Sequence, residues 1–424
     1  MSHERISCKN PDCKHTILPA TAKANDGLCA PCIGKIRQAE WDENVRQNRR
    51  TVNLYEGVID PVEIIRIMLT NRKHDPLIVY SPAPVSSEQI FAGLSPMQEQ
   101  KLAEIAADAI RGGDEDLGEN IGKSLATLTE ANLDDMLHAW LDGGHLWPSV
   151  AFRNAGPSVR DRIFEMIAAG TERLNHALCA LAWIGDPAVV AKFAKWEESP
   201  PVWRSLLHVG PSTYALVGGW ELTKGGRRNR FFDECFALEI VPEDAPASGV
   251  QLLSERPEKC PLCGDALIHL LEIPTGDGPL RFLPFSGSSL PVLTCERCTG
   301  WGEFTFAHIG PNGAAAWHPA NPKTARESAV GFEWERGPWC GKRVALRKRS
   351  AIHTVDSCME LPATQIGGMP TWVQNEAYPN CPDCGQTMMF LAQLDNDAFP
   401  RHEGTYYAFL CGECRVTATT YQQT

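Results

Sequence analysis

Apolar residues recur at helical spacing through the first half of the chain and in short runs through the second half. Between residues 53 and about 220 the spacing is that of amphipathic helices. From about residue 223 the apolar runs are short, rich in aromatic residues and bounded by turn residues, as in MMFLAQL and TYYAFL, which favours strands. The pattern therefore predicts an α+β protein, with a helical part followed by a β-rich part.

Helix boundaries in the first half are marked by capping residues. Ser95 and Gln98 have the spacing of a capping box. Pro96 takes the first helical position, and Gly112 follows the last turn. A later segment has an apolar face formed by Leu133, Met136, Leu137, Trp140 and Leu141. These signals predict separate helices joined by short turns.

A Gly-Asp-Pro turn separates two further helices. Asp186 is the expected N-cap there, and Pro187 opens the second helix of the pair. Helix pairs with such turns resemble HEAT-type repeats, whose stacked hairpins form extended protein-binding surfaces. Because the repeats are degenerate, a plain helical bundle is the alternative.

Cysteine spacing is the main chemical signal in the sequence. Twelve of the 16 cysteines form three sets of four, each made of two short knuckles: Cys8, Cys13, Cys29 and Cys32; Cys260, Cys263, Cys295 and Cys298; and Cys381, Cys384, Cys411 and Cys414. A C-x-x-C turn places two thiolates on one side, and a second such turn completes a tetrahedron around zinc. With four sulfur ligands no position is left for water or substrate, so we expect about three structural zinc ions.

Other interpretations of these cysteines stay open. Rubredoxin-like iron uses similar knuckles, and unpaired thiols or redox pairs are further alternatives. In the first set one arm is C-x4-C, and His15 could replace a cysteine there. Cys179 lies within an apolar helical segment and is expected in the core. Cys235 has no obvious partner, and neither have Cys340 and Cys358, which could lie near each other.

The second and third sets lie in similar stretches of sequence. CPLCGDALIHLLEI aligns with CPDCGQTMMFLAQL, and LTCERCTGWGEFTF aligns with FLCGECRVTATTYQ. Each reads as knuckle, strand, variable loop, strand, knuckle and strand, which indicates two copies of one β-rich zinc module. Gly264 and Gly385, after the second cysteine of a knuckle, suit a left-handed backbone position.

These patterns divide the chain into three predicted domains. An N-terminal zinc ribbon and helix occupies residues 1–50, helical HEAT-like repeats occupy 51–222, and a β-rich domain with two four-cysteine zinc modules occupies 223–424. Just before the last module, Gly367 and Gly368 allow a sharp turn that Pro370 stiffens. Trp372 is then expected to cover the zinc knuckle or the sheet behind it.

Motifs for catalysis are hard to find. GENIGKS at 118–124 resembles a phosphate-binding loop, but one residue is missing between its glycines and an acidic segment, not a strand, precedes it. H-E-x-x-H, G-x-S-x-G and G-x-G-x-x-G are absent from the sequence. We therefore expect neither an enzyme nor a small-molecule substrate.

Composition points to an acidic protein of a reducing compartment. We find no signal peptide and no run of about 18 or more apolar residues that could span a membrane, so we expect a cytoplasmic protein.

The formal net charge is −12. Each zinc with four thiolates contributes about −2, which brings the total to about −18. Such a charge repels nucleic-acid backbones and attracts basic partners. The basic segments GGRRNR and GKRVALRKR are read as solvated loops or edge-strand charges.

The sequence from about residue 361 to 424 resembles the bacterial YwqG-type family of unknown function. The motifs that carry this resemblance are IGGMPTWVQ, CPDCGQTMMFLAQLD and CGEC. A similar Gly-Gly-x-Pro-x-Trp and knuckle arrangement is found in the eukaryotic programmed cell death protein 2 family, zinc-containing chaperones of a ribosomal protein. The resemblance is specific for the fold and identifies no activity. Bacterial members are similar to proteins encoded beside secreted toxins, which implies an immunity role by analogy.

The sequence thus predicts a zinc-stabilised protein that works by binding another protein. Our first hypothesis is a bacterial immunity protein that neutralises a cognate toxin through a basic toxin domain. A chaperone for a basic client, such as a ribosomal protein, is the alternative from another class. An enzyme or a nucleic-acid binder is disfavoured by the charge and by the absence of a catalytic constellation.

Overall fold

The structure is a computed structural model that describes residues 5–232, 234–276, 278–299, 304–323, 338–352, 364–395, 398 and 404–423. The chain divides into two compact units, residues 1–90 and residues 91–424. The predicted mixture of helix and sheet is confirmed. The predicted domain boundaries at residues 50 and 222 fall inside the two units and stay predictions.

The first unit combines a small four-cysteine ribbon with helices. Its elements are β1 (Ile6–Ser7), β2 (Thr16–Ile17), α1 (Pro19–Ala24), α2 (Ala30–Asn48), β3 (Arg50–Val52), α3 (Pro61–Leu69) and β4 (Ile78–Tyr80), and α4 (Ser87–Ala92) crosses into the second unit. β1 and β2 pair as an antiparallel ribbon, whereas β3 and β4 pair in parallel. Apart from Cys32, α2 buries none of its residues, so this unit holds its helix mainly through the cysteine cluster.

The second unit begins with helices, of which α5 and α10 start at the predicted capping residues. They are α5 (Pro96–Arg111), α6 (Glu115–Leu128), α7 (Asp134–Asp142), α8 (Pro157–Ala168), α9 (Leu174–Ile184) and α10 (Pro187–Glu198). The capping box of Ser95 and Gln98 is present, and the Asp186 side chain accepts a hydrogen bond from the backbone of Val189. Neighbouring helices pack on one another, α5 on α6 and α7, and α8 on α9. HEAT-like stacking stays a prediction. No helix among the described residues is long and apolar enough to cross a bilayer.

The segment that resembles a phosphate-binding loop lies inside α6. Its glycines serve helix packing: a Cβ on Gly118 would lie 2.5 Å from the Ile110 side chain, and one on Gly122 would lie 2.6 Å from the sulfur of Met136. A helix interior presents no free backbone N–H groups to a phosphate. The rejection of a nucleotide site at this segment therefore has a structural reason.

Two antiparallel sheets form the β-rich part of the second unit. Its strands are β5 (Trp220–Leu222), β6 (Arg228–Arg230), β7 (Cys235–Ile240), β8 (Gln251–Lys259), β9 (Ala266–Pro274), β10 (Ser289–Thr294), β11 (Thr305–Ile309), β12 (Ala315–Trp317), β13 (Val344–Arg349), β14 (Gln365–Gly367), β15 (Met389–Leu394), β16 (Gly404–Cys411) and β17 (Val416–Gln423), with α11 (Glu296–Thr299) after β10. The described strands build one sheet in the order β12-β11-β17-β16-β15-β14-β7-β13 and a smaller one in the order β10-β9-β8. β5 and β6 form a separate hairpin.

The central strand β16 is buried on both faces. Tyr406, Ala408 and Leu410 belong to the apolar core shared with the small sheet. Tyr407 and Phe409 point to the opposite face and pack in a second, aromatic cluster. Because side chains alternate along a strand, a strand covered on both faces needs an unbroken apolar run. This explains why TYYAFL lacks the polar alternation of a surface strand.

The two four-cysteine modules, residues 260–309 and 381–423, are joined by a strand pairing. Each follows the predicted order of knuckle, strand, loop, strand, knuckle and strand. In the second module β15, β16 and β17 are neighbours in one sheet, whereas β11 of the first module leaves β9 and β10 and pairs antiparallel with β17. Buried hydroxyls of Thr294 and Thr419 lie 2.6 Å apart across this junction. The modules are therefore joined through their last strands, which are neighbours in the large sheet.

The last knuckle is also held against the loop before β10. Arg415 donates hydrogen bonds to the carbonyl oxygens of Ile309 and Ser286, and its guanidinium lies 4.7 Å from the ring centre of Phe285. Gly412 lies so close to this loop that an added Cβ would fall 1.8 Å from the carbonyl oxygen of Pro284. The contact admits only a glycine.

We expect Gly412→Ala to displace the last knuckle or the loop beneath it, because two backbone segments meet there and neither can rotate away. Overpacking of this kind costs about 1–3 kcal/mol. Chemical denaturation of the full chain, followed by tryptophan fluorescence, should show the loss. Gly278→Ala is the matched control, since a Cβ there meets open space. Equal stability of the two variants would contradict this close contact.

Candidate metal centres

The structure brings together all twelve predicted cysteines in the three predicted sets. The sets are Cys8, Cys13, Cys29 and Cys32; Cys260, Cys263, Cys295 and Cys298; and Cys381, Cys384, Cys411 and Cys414, and within each set the four sulfur atoms lie within 4.8 Å of one another. All described cysteines are free of disulfides. Three four-sulfur clusters that could hold metal ions are thus a property of the fold.

The first cluster is built between the β1–β2 ribbon and the start of α2. Cys29 caps this helix, and Cys32 lies in its first turn. The backbone N–H of Cys29 donates to the sulfur of Cys8 over 3.3 Å. The partial positive charge of a helix N-terminus favours thiolates. The helix therefore supplies two of the four ligands and places them at its positive end.

Both cysteines of the irregular C-x4-C arm, Cys8 and Cys13, belong to the first cluster. Cys13 joins the cluster, with its sulfur 3.5 Å from that of Cys29. The Nδ1 atom of His15 lies 3.3 Å from the sulfur of Cys13, so His15 is a neighbour of the four-sulfur set. Asn10, at the tip of the arm, donates its side-chain amide to the sulfur of Cys32 over 3.3 Å. No pattern in the sequence predicts this contact of Asn10.

The second and third clusters use the same knuckle geometry. Gly264 and Gly385 have φ values of +79° and +71°, as expected from their place after the second cysteine. Each glycine N–H donates to the carbonyl of the knuckle's first cysteine, Cys260 or Cys381. Only glycine adopts this left-handed position without strain. The two knuckles are local copies of one turn.

A salt bridge links the two knuckles of the second cluster. Arg297 and Asp265, one on each knuckle, are 3.3 Å apart. Behind this cluster the hydroxyl of Thr299 lies 2.8 Å from Thr294 and 2.7 Å from Thr305. These buried hydroxyls satisfy one another and tie α11 to the strands on either side.

The sulfur spacing fits a tetrahedral metal ion. Zinc–sulfur bonds of about 2.3 Å place the ligands of a regular tetrahedron about 3.8 Å apart, whereas bonded disulfide sulfurs are about 2.05 Å apart. The shortest observed separations range from 3.4 Å between Cys263 and Cys295 to 3.8 Å between Cys8 and Cys32 and between Cys384 and Cys411, all far longer than a disulfide bond. Zinc and rubredoxin-type iron both accept this geometry.

The close spacing of the sulfurs also favours a bound cation, because four neighbouring thiolates repel one another. Hydrogen bonds from Cys295 and Cys298 lower the pKa of the Cys260 thiol to about 2. The pKa of the Cys295 thiol is raised far above its usual range, because it donates to Cys260 and Cys298 and is buried. Without a metal, the Cys260 thiolate is thus stabilised only while neighbouring thiols stay protonated and donate hydrogen bonds to it. A divalent cation allows all four to ionise together.

The Gly-Gly-x-Pro-x-Trp turn lies against the module that carries the third cluster. Trp372 stacks on Tyr407 with ring centres 4.7 Å apart and on Phe409 at 6.3 Å. It belongs to the aromatic cluster that contains Cys381, so the expected cover for the sheet and knuckle is confirmed. A Cβ on Gly368 would lie 2.6 Å from the sulfur of Cys235, which explains the second glycine of the turn.

The remaining cysteines lie apart from the clusters. Cys179 is largely buried in α9, and burial raises the pKa of its thiol to about 12. The sulfur of Cys340 donates to the carbonyl of Leu253 over 3.4 Å. Cys358 lies outside the described residues, so its expected proximity to Cys340 stays a prediction.

Comparison with known proteins places the chain in a family. It is 36% identical over 430 aligned residues to YpfL of Salmonella typhimurium strain LT2, an uncharacterized protein, and the alignment covers 99% of this chain and 100% of YpfL. The chain belongs to the YpfL family. No family model matches the sequence, and no solved structure is significantly similar to it.

We expect about three equivalents of zinc in protein purified without added metal, because each cluster supplies four sulfur ligands. Elemental analysis checks the number and identity of the ions. Values between two and three agree with the assignment. One equivalent or less, or iron in place of zinc, would contradict it.

Replacing a ligand of the third cluster should unfold its module. Cys381→Ser and Cys411→Ser each remove one sulfur, and small zinc modules depend on their metal for folding. Thermal melting and zinc content should both fall. Cys179→Ser is the control, with a mild effect because it touches no cluster. Ligand variants that melt like the parent would show that the third site is not structural.

Proposed function

We propose that this protein is a non-enzymatic, zinc-stabilised binding protein, and that it acts as a bacterial immunity protein that neutralises a cognate toxin. Three sulfur tetrahedra would leave zinc without an open ligand position, and such sites stabilise folds instead of performing catalysis. In this proposal the protein acts by binding its partner through its surface. Zinc is the proposed metal because the expected compartment is reducing and the ligands are all thiolates.

The choice of a basic partner rests on one observation: cationic side chains of the basic segments are already paired within the fold. On the edge strand β13, Lys348 lies 2.7 Å from Glu234, and Arg347 pairs with Glu239. Arg343 donates to the carbonyl oxygens of Pro242 and Ala245. These cations are used inside the β-rich half, and they form no free basic stripe for a nucleic-acid backbone.

In the second basic segment, Arg228 is held in the same way. Arg228, in the β5–β6 hairpin, lies 5.5 Å from the ring centre of Trp220 and donates a hydrogen bond to the carbonyl of Gly185 over 2.6 Å. The formal charge of −12 is thus left to act on a partner. A field of this sign steers basic proteins toward the surface and repels phosphates.

The kind of basic partner rests on the sequence resemblance. The YwqG-type motifs support a toxin as the partner, by analogy with proteins encoded beside secreted toxins. The similar arrangement in the programmed cell death protein 2 family supports a chaperone for a basic client as the alternative. HEAT-like packing of α5–α10, if present, would offer either partner an extended surface.

A titration of this protein against a fixed dose of toxin tests the proposal, with the product of a neighbouring toxin-like gene as the candidate. Protection should saturate near one-to-one, because neutralisation by binding consumes one molecule of this protein per toxin. Raising the salt concentration should slow association much more than it changes dissociation, because steering between charges is screened.

Protection at far substoichiometric amounts would overturn the proposal, since it indicates an enzyme that reverses the damage. Binding of a ribosomal protein without any effect on the toxin would favour the chaperone. Tight binding to duplex DNA would contradict both.

A further inference from the structure

A cavity lies in the second unit between the helical part and the Gly-Gly-x-Pro-x-Trp turn. Its volume is about 380 Å³, within the range of small-molecule and side-chain pockets, roughly 300–1,000 Å³. Trp147 lies before α8, Trp183 is on α9, Tyr214 follows α10 and Trp372 belongs to the turn, and all four side chains line the cavity. Four distant parts of the chain thus place aromatic rings around one space.

Trp147 and Trp183 differ in exposure. Trp147 is 57% exposed, which is unusual for so large an apolar side chain, whereas Trp183 is only 5% exposed. No acceptor among the described residues pairs with the indole N–H of Trp183, and this nitrogen keeps some contact with solvent. Because Trp183 lines the cavity, its N–H is available to a group bound there, such as a carbonyl oxygen of a peptide.

Glu376 supplies the charge of the cavity. Its exposed side chain lines the same space, and no cation or donor in the described part of the chain pairs with it. Glu376 shares this space with Cys179, which also lines the cavity. An unpaired carboxylate beside aromatic rings is complementary to a cation, because the ring faces and the carboxylate attract positive charge together.

We propose that this cavity binds a basic side chain, on an extended segment of the protein partner. This inference rests on the proposed function and names the chemistry that the partner presents. Arginine fits better than lysine, because its planar guanidinium stacks on indole rings and is weakly hydrated. Glu376 would accept its hydrogen bonds, and Trp147 would cover its face.

N-acetyl-arginine amide is the probe for this site, and N-acetyl-citrulline amide is its uncharged analogue of the same shape. Titration calorimetry on the full zinc-loaded chain should give saturable binding of the arginine amide, with a Kd on the order of 1 mM. We expect the citrulline amide to bind about ten-fold more weakly, because it lacks the charge that Glu376 and the rings recognise. Equal binding of the two amides, or no saturable binding of either up to about 10 mM, would overturn the proposal.

Two variants locate the binding. Glu376→Gln should remove the preference for arginine over citrulline, and Trp147→Ala should weaken both amides. Both residues are exposed, so the fold should survive, as a thermal melt can check. Glu165→Gln removes an exposed carboxylate elsewhere in the same unit, and Trp41→Ala removes a tryptophan that is 45% exposed in α2. An effect of these controls equal to that of the site variants would place binding outside the cavity.

The failure of this inference is distinguishable from the failure of the proposed function. A toxin that is neutralised equally well by the parent, Glu376→Gln and Trp147→Ala leaves the immunity role intact and excludes the cavity as its site. Binding of the arginine amide without one-to-one neutralisation of a toxin keeps the site and rejects the immunity role. We expect Glu376→Gln to weaken toxin binding about ten-fold, the same factor as for the amide.

Discussion

Mutual repulsion among four crowded thiolates is the constraint on which this fold depends. In each cluster the sulfur atoms lie within 4.8 Å of one another, a spacing at which four thiolates are stable only around a cation. The knuckle turns and the capped start of α2 all serve to hold this spacing. Once a metal ion is bound, the loops of the β-rich half are fixed at their ends and the strands between them are brought into register.

The pairing of β11 with β17 extends this local constraint to the whole β-rich half. Since the last strand of one module completes the sheet of the other, loss of one cluster should weaken both modules. Arg415 and Gly412 strengthen the same link by fixing the last knuckle to the loop before β10. Two modules that are similar in sequence therefore act as one folding unit, in which the buried strand β16 lies near the centre.

Local features of this fold could be predicted from the sequence, and long-range ones could not. The capping box at Ser95, the cap at Asp186 and the glycines after the knuckles each have a physical cause within a few residues. The pairing of β11 with β17 joins strands that are far apart in the chain, and their sequences contain no local signal for it. The aromatic cavity was missed for the same reason: Trp147 and Glu376 belong to segments that meet only in the folded protein. The sequence contains one feature that bears on it, the large side chain of Trp147 in a short stretch between two helices.

We propose that all three metal sites are closed by sulfur, so that the metals stabilise the fold and take no part in chemistry. X-ray absorption spectroscopy at the zinc edge of the purified protein measures the ligands directly. We expect four sulfur neighbours per zinc at about 2.3 Å, averaged over the sites. A nitrogen or oxygen shell at about 2.0–2.1 Å, with fewer than four sulfurs, would reveal a histidine or water ligand and contradict it.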